Sequence, residues 1–335
     1  MMKISVLGSG GWGIALAMSA ESNGHQVLLW SPFESEVNEL LVSRESKKLL
    51  KGVKIPESIN ITTNLSLIEN SDITIIATPS IAVRETAVRL KNIKSTGIVV
   101  NVAKGFEAES LKRLSEVISN EISAPVVVMS GPSHAEEVAR KVPTSLVACS
   151  KDYDAARAVI DAFSSEFFRL YTNDDMVGVE LGGALKNIIA VAAGICDGLG
   201  LGDNTRAALI TRGLTEIARL GVALGAKERT FAGLSGLGDL IVTCTSRHSR
   251  NHRFGELIGQ GLGIKDALQE VGTVEGYYAT ELAYKLALKV GAEMPIISKC
   301  YEVLYQNLDV KEAIKYLMLR PIRDEQESLW ISKQD

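Results

Sequence analysis

The segment that most constrains this chain lies near its start. Ile4-Ser5-Val6-Leu7 runs straight into Gly8-Ser9-Gly10-Gly11-Trp12-Gly13, and Ile14-Ala15-Leu16-Ala17 then continues as a good helix. A strand, a glycine turn and a helix start follow in the order that a dinucleotide pyrophosphate needs. Gly8 makes the tight turn out of the strand, Gly10 lets the backbone approach phosphates without a Cβ in the way, and Gly13 lets the helix pack closely. The helix start then offers unpaired N–H groups and its positive dipole end to an anion. A glycine-rich turn alone would also suit a purely structural bend. The strand before it and the helix after it are what point to a nucleotide.

With 335 residues the chain is too long for one typical core, so two domains are expected. The balance of 36 basic against 40 acidic residues supplies no basic field for nucleic acid, so any anion must be recognised locally. Cys149, Cys196, Cys244 and Cys300 are widely spaced, with no CxxC pair and no histidine at metal-ligand spacing. They read as reduced thiols of a cytoplasmic protein, with no metal site. The first twenty residues superficially resemble a secretory signal, but four glycines arranged as a turn argue against a continuous apolar helix. No stretch approaches the roughly 18 uninterrupted apolar residues of a membrane-spanning segment.

The first half alternates apolar strands with amphipathic stretches. Candidate strands are Ile4-Leu7, Gln26-Trp30, Ile73-Ala77, Ile98-Val102, Val126-Met129, Ser145-Ala148 and Phe167-Tyr171, with Ile81-Leu90 and Ser110-Asn120 as crossover helices. This order predicts an α/β, doubly wound (Rossmann-type) sheet. After about Asn173 the strand-like runs vanish and alanine- and leucine-rich segments take over: Leu181-Ile195, Ala207-Leu224, Asn251-Ile258, Glu275-Val290 and Ile296-Leu304. The reading is a dinucleotide-binding domain over 1–178, an all-α domain over 179–325 and a polar tail over 326–335. Ligands of open α/β sheets sit outside the carboxyl ends of the strands. A helical cap from the second domain is expected to close over that edge.

Three loops follow strands in this way: Thr78-Pro79-Ser80, Asn101-Val102-Ala103-Lys104-Gly105 and Ser130-Gly131-Pro132-Ser133-His134-Ala135. Lys104 suits an anion or a carbonyl oxygen, or else is a solvated loop lysine. The Ser-Gly-Pro-Ser turn offers a hydroxyl and backbone N–H groups, or is an ordinary strand-to-helix cap. In the helical half, Lys186 sits among Leu181-Gly182-Gly183-Ala184-Leu185 and Asn187-Ile188-Ile189-Ala190. It is either a snorkelling lysine or a desolvated amine suited to acid/base work. Ser249-Arg250-Asn251 ahead of an apolar helix makes a phosphate cradle, or an N-cap followed by a surface arginine. His134, His248 and His252 read as surface or capping residues. Glu275 is a ribose or amide acceptor, or a helix-start carboxylate.

Gly8-x-Gly10-x-x-Gly13, Ala103-Lys104-Gly105, Ser130-Gly131-Pro132-Ser133-x-Ala135, Gly183-Ala184-Leu185-Lys186-Asn187, Gly236-Leu237-Gly238-Asp239-Leu240 and Ser249-Arg250-Asn251 occur in that order. Together they closely resemble the soluble NAD(P)-dependent glycerol-3-phosphate dehydrogenases of bacteria, from residue 3 to roughly 320. The last three motifs are highly specific. The resemblance implies reversible hydride transfer between dihydroxyacetone phosphate and sn-glycerol 3-phosphate, with NAD(H) or NADP(H) as cofactor, feeding phospholipid synthesis. It implies Lys186 as the acid/base. Lys104, Gly131, Ser133, Lys186, Asp239, Ser249, Arg250 and Asn251 would contact substrate, with Asn187 and Thr243 as secondary candidates. Gly8, Gly10, Gly11, Trp12, Gly13, Lys104, Ala135, Arg250, Thr273 and Glu275 would contact cofactor.

Two departures stand out. The second strand ends Leu29-Trp30-Ser31-Pro32-Phe33-Glu34, with neither the acid that meets an NAD ribose nor the basic residue common in NADP users. Glu34 falls a little late, Arg44 would have to reach back, and the choice of dinucleotide stays open. Thr273 stands where valine is usual. The competing readings are another two-domain hydroxy-acid or ketopantoate-type reductase, and a non-catalytic NAD(P)-binding sensor. A homodimer is the expectation from the apolar helical half.

Overall fold

The computed structural model describes residues 1–93, 95, 97–322 and 325, so the polar tail expected at 326–335 lies outside the described residues. The chain forms two compact units, Met1–Met176 and Val177–Asp335.

The first unit contains β1 (Lys3–Leu7), α1 (Gly11–Ser22), β2 (Gln26–Trp30), α2 (Glu34–Ser43), β3 (Asn60–Thr62), β4 (Ile73–Ile76), α3 (Val83–Asn92), β5 (Ile98–Asn101), α4 (Leu114–Glu121), β6 (Val126–Ser130), α5 (Ala135–Val138), β7 (Thr144–Ser150), α6 (Tyr153–Phe163) and β8 (Phe168–Asn173). The strands make one eight-stranded sheet in the order β3-β2-β1-β4-β5-β6-β7-β8. Neighbouring side chains leave opposite faces, and both faces are covered. Ile4, Val6, Val27 and Leu29 enter one core, and Leu7, Leu28, Trp30 and Ile76 enter the other. This is why the strands read as continuous apolar runs instead of alternating ones.

Two features depart from the sequence reading. β3 is an additional strand, only three residues long and with Ile61 as its one large apolar side chain, too short to show a period. β7 runs antiparallel to β6, whereas β8 is parallel to β7. A parallel return needs a crossover element that spans the sheet. The four-residue α5 between Ser130 and Thr144 is too short to supply one, so the chain comes back in the opposite sense.

The described residues of the second unit form no strand, and its helices are α7 (Met176–Gly198), α8 (Gly202–Ala223), α9 (Glu228–Phe231), α10 (Asp239–Thr245), α11 (Arg250–Gly259), α12 (Ile264–Val271), α13 (Glu275–Val290), α14 (Pro295–Gln306) and α15 (Val310–Met318). α7 is long and apolar enough to cross a membrane by length and composition, but its apolar window is wholly buried in protein, as in a core helix. It is buried by close backbone approach. A Cβ on Gly194 would lie 1.9 Å from the His252 carbonyl oxygen, and one on Gly255 would lie 2.0 Å from that of Val191. The glycines cost the helices intrinsic propensity, roughly 1 kcal/mol each. In exchange α7 and α11 touch main chain to main chain.

Candidate active site

The glycine turn sits where the strand order reverses, between β1 and β4, which is where open α/β sheets bind ligands. Gly8 has φ +119°, and a Cβ there would lie 2.6 Å from the Ala77 carbonyl oxygen at the end of β4. A Cβ on Gly13 would lie 2.0 Å from the Gly8 oxygen, so the third glycine presses α1 against its own turn. Gly10 differs, because a Cβ there would meet no atom within 4 Å. No side chain caps α1 either. Open space in front of uncapped amides fits a pyrophosphate. Thr78 Oγ1 and Ser130 Oγ, buried at the ends of β4 and β6, have no hydrogen-bond partner among the described residues.

Lys104 and Ser133 converge on one atom. Lys104 Nζ donates to the Gly131 carbonyl at 3.2 Å, and Ser133 Oγ donates to the same oxygen at 3.0 Å. Gly131 has φ +142°, a conformation that brings its carbonyl round for both. Asn101 shapes the Lys104 loop by exchanging hydrogen bonds with the Ala103 main chain. Arg84 then anchors its far end, pairing with Glu107 and donating to Glu121 at 2.7 Å. The Arg84 guanidinium holds the Glu107 carboxyl below its ordinary range. Ala135 lies at ordinary contact distance from the position of a Cβ on Gly11, and Trp12 packs half-buried on the core.

In the helical unit Lys186 does not snorkel. It is buried, and Nζ donates to Asp239 Oδ1 at 2.5 Å and to Thr243 Oγ1 at 2.6 Å. Thr243 in turn donates to the Asp239 carbonyl at 2.6 Å. Glycines place this pair. A Cβ on Gly182, one turn before Lys186, would lie 2.5 Å from the Ser235 carbonyl, and Ser235 sits in the wide π-type turn Leu234–Gly238 that leads into Asp239. Burial pushes the nearby Cys244 thiol up to about 12, so it is a neutral wall residue at physiological pH.

Asn187 Oδ1 accepts from Asn251 Nδ2 at 2.9 Å, and Asn251 Oδ1 accepts the Gly276 N–H at 2.8 Å. These bonds tie α7, α11 and the start of α13 together, with Glu275 half-buried and Thr273 exposed beside the junction. Ser249 caps α11, its Oγ accepting the His252 N–H at 3.2 Å. The hydroxyl proton keeps its capacity to donate. Arg250 is exposed at the first position of α11 and has no partner among the described residues. The sequence reading missed a neighbouring cluster in which Asp197 binds both His252 Nε2 at 2.7 Å and Arg206. Thus His252 is not a plain surface or capping residue. An acid closing an apolar helix was the available signal.

Arg44 does not reach back to β2. Its guanidinium binds the carbonyls of Pro56 and Ile59 and the Glu57 carboxylate.

Models of the NAD-dependent glycerol-3-phosphate dehydrogenase N-terminus and C-terminus match residues 3–156 and 175–315. A Thermoanaerobacter protein named glycerol-3-phosphate dehydrogenase (NAD(P)+) is 53% identical over 327 residues, 97% of this chain and 99% of the relative. One of the same name from Fusobacterium nucleatum is 49% identical over 326 residues, 96% and 97% of the two chains. The crystal structure of glycerol-3-phosphate dehydrogenase from Coxiella burnetii is 39% identical, with TM-score 0.92 over 95% of this chain and 99% of that one. A ketopantoate reductase from Ralstonia eutropha, 14% identical with TM-score 0.62 over 91% and 98%, shares the fold alone.

Proposed function

The chain belongs to the NAD-dependent glycerol-3-phosphate dehydrogenase family, and on that premise we propose how its own residues carry the reaction. The activity is reversible hydride transfer between NAD(P)H and dihydroxyacetone phosphate, giving sn-glycerol 3-phosphate for phospholipid synthesis. The bound dinucleotide supplies or accepts the hydride.

In our reading the amides at the start of α1, with Gly8, Gly10, Gly11, Trp12 and Gly13, hold the pyrophosphate, and Lys104, Ala135, Thr273 and Glu275 complete the cofactor contacts. Lys186 is the acid/base. As hydride reaches C2 of dihydroxyacetone phosphate, the carbonyl electron pair moves to oxygen and takes a proton from the Lys186 ammonium. The amine left behind recovers a proton from water, and oxidation runs the same steps in reverse. Asp239 and Thr243 hold Nζ in place for that transfer, and a fixed cation suits the developing alkoxide. Ser249, Arg250 and Asn251 take the substrate phosphate, with Arg250 as a bidentate fork. Lys104, Gly131 and Ser133 are the substrate contacts that the first unit contributes in this reading. Binding energy from the non-reacting phosphate orients the carbonyl.

The observation that carries the reading is the Asn251–Asn187 hydrogen bond. It ties the residue beside Arg250 to the residue beside Lys186, which links the segment of the phosphate clamp to that of the proton donor. The test is loss of NAD(P)H absorbance on adding dihydroxyacetone phosphate, compared with unphosphorylated dihydroxyacetone. We expect turnover with the phosphate ester and very little without it. Equal rates would remove the phosphate cradle, and turnover of ketopantoate instead would favour the alternative reductase.

A homodimer and a cytoplasmic location belong to the same proposal. Leu288, Tyr316, Met318 and Leu319 are exposed apolar side chains of the helical unit that a second copy could cover, and four buried thiols suit a reducing compartment. Light scattering that reads the mass of one chain would remove the dimer.

A further inference from the structure

The residues after β2 leave the choice between NADH and NADPH unexplained, because Ser31-Pro32-Phe33 contains no acid and no base. The structure supplies a carboxylate from further along. Glu36 lies in the first turn of α2, yet its side chain turns back towards β2. Its Oε2 accepts from Ser31 Oγ at 2.7 Å, one residue past the end of β2. The same oxygen accepts from Ser9 Oγ at 2.5 Å, the residue between the first two glycines of the turn. Both serines are buried, so the carboxylate is pinned from below at two points. The pinned group sits between the glycine turn and the end of the second strand. In doubly wound dinucleotide folds that is where an acid meets the adenosine ribose 2′-hydroxyl.

Three further observations bear on what it meets. Glu36 is exposed on its outer side, and Oε1 has no partner among the described residues. No lysine or arginine pairs with it among those residues. Arg44, the basic side chain closest in sequence, is committed to the Pro56–Ile59 segment.

We propose that Glu36 reads the 2′ position of the adenosine ribose, accepting a hydrogen bond from the 2′-hydroxyl of NADH and repelling the 2′-phosphate of NADPH. The inference rests on the dinucleotide reading of the glycine turn and deepens it. Ser9 and Ser31 act as positioning residues. Each donates its one proton to Oε2, which leaves Oε1 to accept from the ribose. A carboxylate set against a phosphate at an exposed site disfavours the phosphorylated ligand by about tenfold or more at low salt, and by less as salt screens the pair.

The test uses the full chain and two ligands that cannot turn over, ADP-ribose and 2′-phospho-ADP-ribose, with affinities measured by titration calorimetry. We expect the wild type to bind ADP-ribose at least about tenfold more tightly at low ionic strength, with the ratio shrinking in high salt. Glu36→Gln keeps an acceptor but loses the charge, so its ratio should fall close to one with the melting temperature unchanged. Ser31→Ala releases one anchor and should lower the ratio part of the way. A purely structural Glu36 would change stability and leave the ratio alone. Equal or tighter wild-type binding of the 2′-phosphate ligand would overturn the proposal, as would an unchanged ratio in Glu36→Gln. If neither ligand bound, the dinucleotide reading itself would fall and take this proposal with it.

Discussion

Replacing Gly182 with alanine tests whether main-chain packing sets the Lys186–Asp239 pair. The added Cβ would lie 2.5 Å from the Ser235 carbonyl oxygen, whereas ordinary contact begins at 3.4 Å, so about 0.9 Å must be found. Both surfaces are backbone, and neither can rotate away. Overpacking of this kind costs about 1–3 kcal/mol, which lowers the melting temperature by several degrees. Lys186 lies one turn after Gly182, and Asp239 lies four residues after Ser235. The displacement therefore passes almost directly into their 2.5 Å contact. Stretched to about 3.4 Å, that contact is no longer a good hydrogen bond. Misplacement of about 1 Å at a reacting group costs on the order of a hundredfold in rate. Steady-state kinetics should show kcat reduced by about that factor, with dinucleotide affinity unchanged because the glycine turn belongs to the other unit. A Gly182→Ala enzyme with wild-type kcat would refute the packing argument. Parallel loss of dinucleotide affinity would point to general misfolding instead.

Arg250→Ala should raise the KM for dihydroxyacetone phosphate by about ten- to a hundredfold, the worth of one charge-assisted contact, with a smaller change in kcat. Undiminished preference for the phosphorylated substrate would exclude Arg250 as the clamp. Glu216 gives a stability prediction. It is buried beneath the start of α14 and accepts the Ile296 and Ile297 N–H groups, and burial pushes its pKa up to about 7 from 4.5. A raised carboxyl pKa means that its contribution is complete below about pH 4.5 and is lost as pH rises through 7. Denaturant midpoints should show the wild type losing up to about 3 kcal/mol between pH 5 and 8 relative to Glu216→Gln. Parallel pH curves for the two proteins would contradict this.

The doubly wound sheet was legible because covered β-branched runs and the Gly8–Gly13 turn are local signals. The reversal of β7 was not, since it depends on how far α5 can carry the chain. β3 was too short to leave a pattern. At the site, Lys186 stood out as a charge among apolar neighbours, whereas Asp239 was named only through the family resemblance. Asp239 comes from a segment 53 residues away, brought there by a glycine contact that no periodicity reports. Ser249 does cap α11, the N-cap half of its two readings. Glu36 was not nominated: Glu34 already falls late after β2, and the sequence does not report that a long side chain in the first turn of α2 turns back to Ser31. Arg44, nominated instead, serves the 56–59 segment.

The central claim is that Lys186 transfers the proton at the substrate oxygen. It is tested by measuring kcat and NADH affinity on the same preparation of Lys186→Ala. The account predicts turnover of dihydroxyacetone phosphate lowered by about a thousandfold or more, while NADH binds within a few-fold of wild type. Near-normal turnover in that variant would contradict it.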